Sequence, residues 1–415
     1  MKIHYHSDCP FFAGCERMLV NFWANPVLRQ QHEVSFSYRQ SIEYTKGLRA
    51  QLEPDFPVFP LSLPTEYWPQ NNLPYLPALF SRIARLAFQL VTYIPFLAID
   101  IAVLARLLRR IAPDVLHINN GGYPAARSAR AAAVAARLAG VKNVVMVVNN
   151  LAMGYNRPSR WLDFPIDRLV VRSTDRFITG SLAAANRLGG VLGLANGQVQ
   201  SIHNGIGLRT LTETQDQTRT RLDTDIHFDG LVIGVVALME PRKGHRVLLE
   251  ALAILLKQDP TVSEKLVVWL EGDGPTRGEL ESLVQLWNLS GVVRFIGHEK
   301  NVVDMMNALD VLVLPSVDAE DFPNVTLEAM GLGKAVVASA IAGTPEQIVP
   351  GKTGILVEPG NAQSLAHALA QLIEHPELSK SLGMKGRERF CKMFQAGTAV
   401  KNYLNLYDSF KVGST

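Results

Sequence analysis

The chain has 415 residues, 47% of them apolar and 19% charged, with a formal net charge of +3 at neutral pH. That length exceeds one ordinary core and fits two domains of about 200 residues each, and the composition excludes a disordered tail protein. Three cysteines, Cys9, Cys15 and Cys391, are too few for a disulfide framework or a metal quartet and fit a reducing compartment.

The N-terminus opens on Met1-Lys2-Ile3-His4-Tyr5, a strand-like run instead of a basic stretch followed by an apolar one, so no secretory signal is expected. Strands are predicted at 2–5, 33–36, 115–118, 143–148, 176–179 and 199–202. Between the second and third lies a long apolar segment, Leu86 to Leu108, long enough to span a membrane. Asp100 in its middle argues against a span, because a charge there is costly. The expectation is a core helix, or one lying on a membrane surface with Arg82, Arg85, Arg106, Arg109 and Arg110 at its ends. From Pro113 to Gly190 ten basic residues face four acidic ones, a balance that suits an anionic partner such as a nucleotide diphosphate or an acidic lipid surface. No aromatic platform or recognition motif supports nucleic acid as that partner.

Residues 207–230, rich in Thr, Gln, Asp and Arg, read as a linker. Beyond it the pattern sharpens. Short β-branched runs at 231–236, 266–270, 293–296, 311–314, 335–338 and 355–357 alternate with helical segments at 246–257, 277–287, 302–308, 325–330 and 364–374. Unbroken apolar strands alternating with amphipathic helices indicate a parallel, doubly wound sheet. A last helix, about 398–410, carries Tyr403, Leu406, Tyr407 and Phe410 on one stripe.

In such folds ligands bind beyond the carboxyl ends of the strands, so the loops there carry the chemistry. After the first strand of the second half comes Glu240-Pro241-Arg242-Lys243-Gly244, where cations and a glycine at a helix start can hold phosphate. After the second comes Glu271-Gly272-Asp273-Gly274-Pro275, best explained for Asp273 as turn chemistry. After the fourth comes Pro315-Ser316 and the run Glu320-Asp321-Phe322-Pro323-Asn324-Val325-Thr326-Leu327-Glu328. Here a helix start offers backbone N–H groups to a diphosphate. Glu320 and Glu328 are either ligands for hydroxyls or merely a solvated acid and a dipole-favoured helix residue.

In this order and spacing the residues resemble the retaining GT-B glycosyltransferases of family 4. The likeness covers nearly the whole chain and is most specific over 231–375, including Ala342-Gly343-Thr344-Pro345-Glu346 and Gly351-Lys352-Thr353-Gly354. Ala13-Gly14-Cys15-Glu16 is similar to the family's glycine-rich first loop and His203-Asn204-Gly205-Ile206 to its interdomain crossing. The resemblance implies two Rossmann-like domains facing an interdomain cleft: an acceptor domain at 1–206, a linker at 207–230, a nucleotide-sugar domain at 231–390, and a C-terminal helix at 391–415 packing back on the first domain. It implies that Lys243 binds the donor phosphates, Glu328 the ribose and Glu320 the transferred sugar. Phe322, Pro323, Asn324 and Val325 would line sugar and diphosphate. Ile296 and Gly297 would meet the base, and Gly14 would let its loop approach the diphosphate.

Three positions depart from the family pattern. Where it carries a second phosphate-binding arginine, five or six residues before the lysine, this chain has Leu238 and Ala237, leaving Arg242 as the stand-in. Its donor-sugar histidine is replaced by Asn149 and Asn150, and an amide can bond a hydroxyl but cannot shuttle a proton. Ala13 stands for the first loop glycine. His117 and Asn119, at the end of another strand, are further candidates for facing acceptor or sugar.

The expected activity is therefore metal-independent hexosyl transfer, with retention, from a nucleotide diphosphate sugar to a glycan or lipid-linked acceptor of cell-surface polysaccharide or lipopolysaccharide. No cofactor or metal is expected, since the one Asp-x-Asp, Asp223-Thr224-Asp225, falls in the linker. The enzyme would be cytoplasmic, touching the anionic inner face of the plasma membrane. The competing readings are a sugar-nucleotide epimerase of the same fold and a non-catalytic nucleotide-sugar-binding partner.

Overall fold

A computed structural model describes residues 1–9, 14–23, 25–52, 55–64, 78–223, 230–318 and 320–412. The chain divides into two compact units, one of Met1–Ile202 with Val400–Thr415, the other of His203–Ala399. The first unit thus ends at Ile202 and regains the chain at Val400, inside the last helix, whereas sequence boundaries were expected at 206 and 391.

The first unit is built on β1 (Lys2–Ser7), β2 (Glu33–Arg39), β3 (Val58–Leu61), β4 (Val115–Asn120), β5 (Asn143–Val148), β6 (Arg176–Thr179) and β7 (Val199–Ser201). They form one sheet in the order β3-β2-β1-β4-β5-β6-β7, with every described pair parallel. Its helices are α1 (Gly14–Trp23), α2 (Pro26–Gln31), α3 (Ile42–Arg49), α4 (Ala78–Ile111), α5 (Arg127–Ala139), α6 (Pro158–Trp161), α7 (Phe164–Ser173) and α8 (Leu182–Leu192). Successive strand residues point to opposite faces, and the core divides accordingly. Leu116, Ile118, Val144 and Met146 pack under α4, α5, α7 and α8. Val115, Val145, Ile3 and Phe36 pack under α1, α2 and α3. β3 escapes the strand pattern because it contains Pro60, which is tolerated at the sheet edge where β3 lies.

The long apolar segment is α4, a single helix of 34 residues that runs through Pro95. Its inner stripe of Leu97, Leu104 and Leu108 packs on α5, and Asp100 on the same stripe is fully buried. Asp100 Oδ2 lies 2.8 Å from Arg127 Nε and 3.7 Å from Arg39 Nη2. Burial raises this carboxyl above its ordinary value even beside two guanidinium groups.

His117 is a core residue, and its reading as a cleft-facing candidate is corrected here. β4 continues to Asn120, so His117 is mid-strand, and the alternation turns it toward the C-terminal helix. It is 1% exposed, ringed by Tyr5, Phe22 and Tyr403, and its Nδ1 is 2.6 Å from the Tyr407 hydroxyl. Burial alone lowers its pKa to about 3.

The second unit has β8 (Leu231–Val236), β9 (Leu266–Glu271), β10 (Val293–Gly297), β11 (Val311–Leu314), β12 (Ala335–Ser339) and β13 (Ile355–Val357), ordered β10-β9-β8-β11-β12-β13 and again parallel. Its helices are α9 (Gln215–Leu222), α10 (His245–Gln258), α11 (Arg277–Leu286), α12 (Val302–Ala308), α13 (Asn324–Gly331), α14 (Thr344–Gln347), α15 (Ala362–Glu374) and α16 (Pro376–Met393). The last helix, α17 (Ala396–Val412), returns to the first unit, where Val400, Tyr403, Leu406 and Tyr407 complete the core of the β1–β4 face.

The supposed linker contributes structure to this second unit. α9 opens with a capping box between Thr214 and Gln217. It docks by polar contacts: Arg219 donates to the Ala308 carbonyl and to Asp310 at 2.8 Å each, and Arg221 reaches Glu299 at 2.9 Å. Asp223 caps the C-terminus of α9 and pairs with Arg294, while Thr224 and Asp225 of the Asp-x-Asp lie outside the described residues, as does Ala13. At the crossing, Ile206 and Phe394–Ala396 exchange backbone hydrogen bonds of 2.9 and 3.0 Å. Gly205 is required there, since a Cβ would sit 2.4 Å from the Gln395 carbonyl oxygen.

Candidate functional site

In the second sheet the connections run outward in opposite directions from the neighbours β8 and β11, which makes the gap between their carboxyl ends a topological switch point. The loops after these two strands interlock. Gly244 has φ of 71°, and a Cβ on it would lie 1.9 Å from the Pro315 carbonyl oxygen, so only glycine fits. Val317 N–H donates to the Arg242 carbonyl at 2.8 Å.

This interlocking brings Lys243 and Glu320 together. Glu320 is 6% exposed, and its Oε1 accepts from Lys243 Nζ and from the Ser316 hydroxyl at 2.9 Å. Arg242 stands 3.6 Å from the same oxygen with one nitrogen and 2.5 Å from Glu240 Oε1 with another. A largely desolvated carboxylate here pairs with Lys243, while Arg242 lies between it and Glu240.

Four residues after Glu320, α13 begins at Asn324 with Pro323 as its N-cap and no side-chain cap, so its first N–H groups are not capped by a side chain. An uncapped helix start beside a lysine is suited to an anion. The approach to it is held in place on several sides. Phe322 is buried and stacks on His203, with ring centroids 4.8 Å apart, and the Phe322 carbonyl accepts from Asn204 at 3.3 Å. His203 Nε2 is 3.0 Å from Glu346, and Gln347 donates to the Pro323 carbonyl at 3.0 Å. Glu328 is half-buried on the second turn of α13, four residues from Asn324 and therefore on the same helix face. Val325 is half-buried beside it.

Ile296 and Gly297 end the edge strand β10, with Gly297 at φ of 75° and its carbonyl accepting from Gly272 N–H at 2.8 Å. Asp273 spends an oxygen on the next backbone N–H at 2.7 Å, the turn chemistry its neighbours suggested.

The first sheet has its own switch point, between β1 and β4. Gly14 is the first residue of α1, and Glu16 two positions further on is buried. The Ser7 hydroxyl donates to Glu16 at 2.9 Å and accepts from Asn119 at 3.4 Å. Asn149 then gives both amide hydrogens away, to Asn119 Oδ1 and to the Asn120 carbonyl, each at 2.9 Å. Asn119 is consequently a buried positioning residue, and Asn149 is oriented so that its oxygen is the atom it can offer as an acceptor. This chain of contacts across β1, α1, β4 and β5 was missed in the sequence, as were Ser316 under Glu320 and the His203–Phe322 stack. Only the neighbourhood of Glu16 to Gly14 hinted at any of them.

Residues 216–389 match the family described as glycosyl transferases group 1, and residues 27–209 match glycosyltransferase family 4. A lipopolysaccharide core biosynthesis glycosyltransferase of Rhizobium meliloti, LpsE, is 30% identical over 251 residues, covering 60% of this chain and 69% of that protein. A D-inositol 3-phosphate glycosyltransferase of Streptomyces avermitilis is 29% identical over 246 residues, covering 57% of this chain. The chain spans about half the length of the inositol-phosphate glycosyltransferases it matches, 52% in that case. Among solved structures, HepE of Anabaena in complex with UDP aligns with a TM-score of 0.75 at 19% identity, over 99% of this chain and all of that one. The lipopolysaccharide outer core galactosyltransferase WaaB in its apo form aligns at 0.69 with 15% identity, over 99% of both.

Proposed function

The chain belongs to the family 4 glycosyltransferases, with the GT-B fold, and from that premise we propose that it transfers a sugar from a nucleotide diphosphate sugar to a glycan or lipid-linked acceptor, with retention at the anomeric carbon. The observation that carries this reading is the Lys243–Glu320 pair at the β8–β11 switch point, against the uncapped start of α13. Without ligand, Glu320 supplies the anion that Lys243 and Arg242 attract. A bound diphosphate brings its own negative charge. It takes over the two cations and the helix N–H groups, and Glu320 becomes available to accept hydrogen bonds from hydroxyls of the transferred sugar. As the sugar–phosphate bond breaks, the charge gathering on the leaving phosphate meets donors already in place. They do this work without a divalent ion, so activity should survive chelation.

Glu328, half-buried on the α13 face that begins at Asn324, takes the ribose hydroxyls, and the backbone of Ile296 and Gly297 meets the base. Asn149 offers its oxygen to a sugar hydroxyl and cannot act as a base. Bond formation on the same face follows, the departing phosphate oxygen accepting the acceptor's proton. HepE was solved with UDP and with UDP-glucose, which makes a UDP-sugar the first donor to test. Similarity to enzymes of lipopolysaccharide core synthesis supports a surface glycan, assembled on the cytoplasmic side, as the acceptor.

Replacing Glu328 with alanine is expected to raise the donor dissociation constant about 10- to 100-fold, the worth of hydrogen bonds to a charged group. Calorimetric titration with the donor checks this, and an unchanged constant removes Glu328 from the ribose.

A further inference from the structure

From Val91 onward, the outer side of α4 carries exposed apolar side chains. Val91 is 75% exposed, Ile94 60% and Ile99 45%, and only 28% of the apolar window Val91–Ile111 is buried. The helix cannot leave the fold to cross a bilayer, because Asp100 would have to abandon Arg127 and Arg39. Across α5, the corner between α6 and α7 exposes a second apolar group: Trp161 at 58%, Leu162 at 65%, and Phe164. The two groups flank one side chain. Arg130 of α5 lies over the Tyr93 ring of α4, 5.5 Å from its centroid, and pairs at 2.7 Å with Asp163, the residue between Leu162 and Phe164. Both belong to the α4–α5–α7 face of the first sheet.

Charge is sorted by sign over this face. Every carboxylate among the described residues of α4, α5 and the α6–α7 segment is turned inward against arginine: Asp100 on Arg127, Asp163 and Asp167 on Arg130 and Arg160. The outward-facing charges there are all arginines, Arg106, Arg109, Arg110, Arg157 and Arg172. Apolar and aromatic side chains framed by cations, with no outward acid, match an interface of acyl chains beneath anionic headgroups. A second copy of the chain across a twofold axis would set these arginines against one another.

We propose that the outer stripe of α4 and the Trp161–Phe164 corner form one surface that lies in the plane of an anionic bilayer, with α4 parallel to the membrane. The proposal is independent of the sugar-transfer reading. It assigns a monotopic attachment to a helix whose length and composition alone suggest a span.

The test is sedimentation of the full chain with phosphatidylcholine vesicles and with vesicles that also contain phosphatidylglycerol. The chain is expected to pellet with the anionic vesicles at low salt, to partition at least tenfold more weakly into neutral ones, and to be released by high salt. The pair Trp161→Ser with Leu162→Ser is expected to reduce partitioning at least tenfold, and Arg109→Ala with Arg110→Ala about fivefold per arginine, at unchanged unfolding temperature. Trp161 and Leu162 are mostly exposed and Arg109 makes one surface hydrogen bond, to the Leu138 carbonyl, so the fold should tolerate these changes. Failure to pellet with anionic vesicles overturns the proposal, as does equal binding by the Trp161–Leu162 variant. A concentration-dependent dimer that the same variant breaks, without vesicle binding, reassigns the face to a second copy.

Discussion

Lys243→Ala is expected to lower kcat/KM for sugar transfer by about 10²- to 10³-fold, the usual cost of removing one donor aimed at developing charge. Lys243 reaches Glu320 from the loop after β8, and that loop is fixed by the contact of Gly244 with the Pro315 carbonyl. In the proposed mode of binding, this ammonium meets the charge that the leaving phosphate gains. Its removal leaves Glu320 with the Ser316 hydroxyl and the more distant Arg242, so the fold should survive while the leaving group loses its main cation. Lys243→Arg should rescue only in part, because a planar fork cannot occupy the place of a compact ammonium without moving Arg242. Initial rates against donor concentration, with unfolding temperature as the control, decide the matter. A rate within threefold of the parent would show that Lys243 does not face the reacting phosphate.

Acid is expected to unfold the first unit well before its carboxylates protonate. His4 and His6 on β1 and His117 on β4 are buried among hydroxyls and rings. Burial, aided for His4 by the nearby His6, lowers His4 and His117 from 6.5 to about 3 and His6 to about 4. The folded form refuses protons that the unfolded chain accepts below pH 6.5. The stabilisation from neutral histidine is thus present above that value and lost as pH falls toward the folded values. Each group contributes a slope of up to about 1.4 kcal/mol per pH unit, or roughly 4 kcal/mol per unit for the three. Between about pH 6.5 and 5 most carboxylates are ionised in both states, so the window isolates the histidines, with the raised carboxyl of Asp100 in the first unit opposing them. Urea midpoints across that window should fall steeply, and His117→Gln should remove up to about 1.4 kcal/mol per pH unit of that slope. A midpoint independent of pH down to about 5 would mean that these histidines are protonated in the folded chain.

Most of the strands were legible because parallel strands covered on both faces read as unbroken apolar runs. β5, β6, β8, β11 and β13 begin and end where those runs do. β3 was hidden by Pro60. α9 was hidden because Gln215–Leu222 has no apolar stripe and docks through Arg219 and Arg221, so periodicity had nothing to register. The loops after β8 and β11 could be read because their chemistry is local: Lys243 precedes the glycine that fixes its turn, and Glu320 leads into the helix that Glu328 rides. The first unit was harder. Glu16, Ser7, Asn119 and Asn149 meet only after β1, β4 and β5 pair, across separations of up to 112 residues. His117 misled for the same reason, since its partner Tyr407 lies 290 residues away.

The site in the second unit is tested most directly by thermal unfolding with UDP-, GDP- and ADP-sugars, on the parent and on Lys243→Ala. At about 100 times its dissociation constant, the right donor should stabilise the parent by about 2.7 kcal/mol, a rise of roughly 5–10 °C, and the variant by far less. If no nucleotide sugar moves the parent's transition, or if one moves parent and variant equally, the switch point between β8 and β11 is not where a donor diphosphate binds.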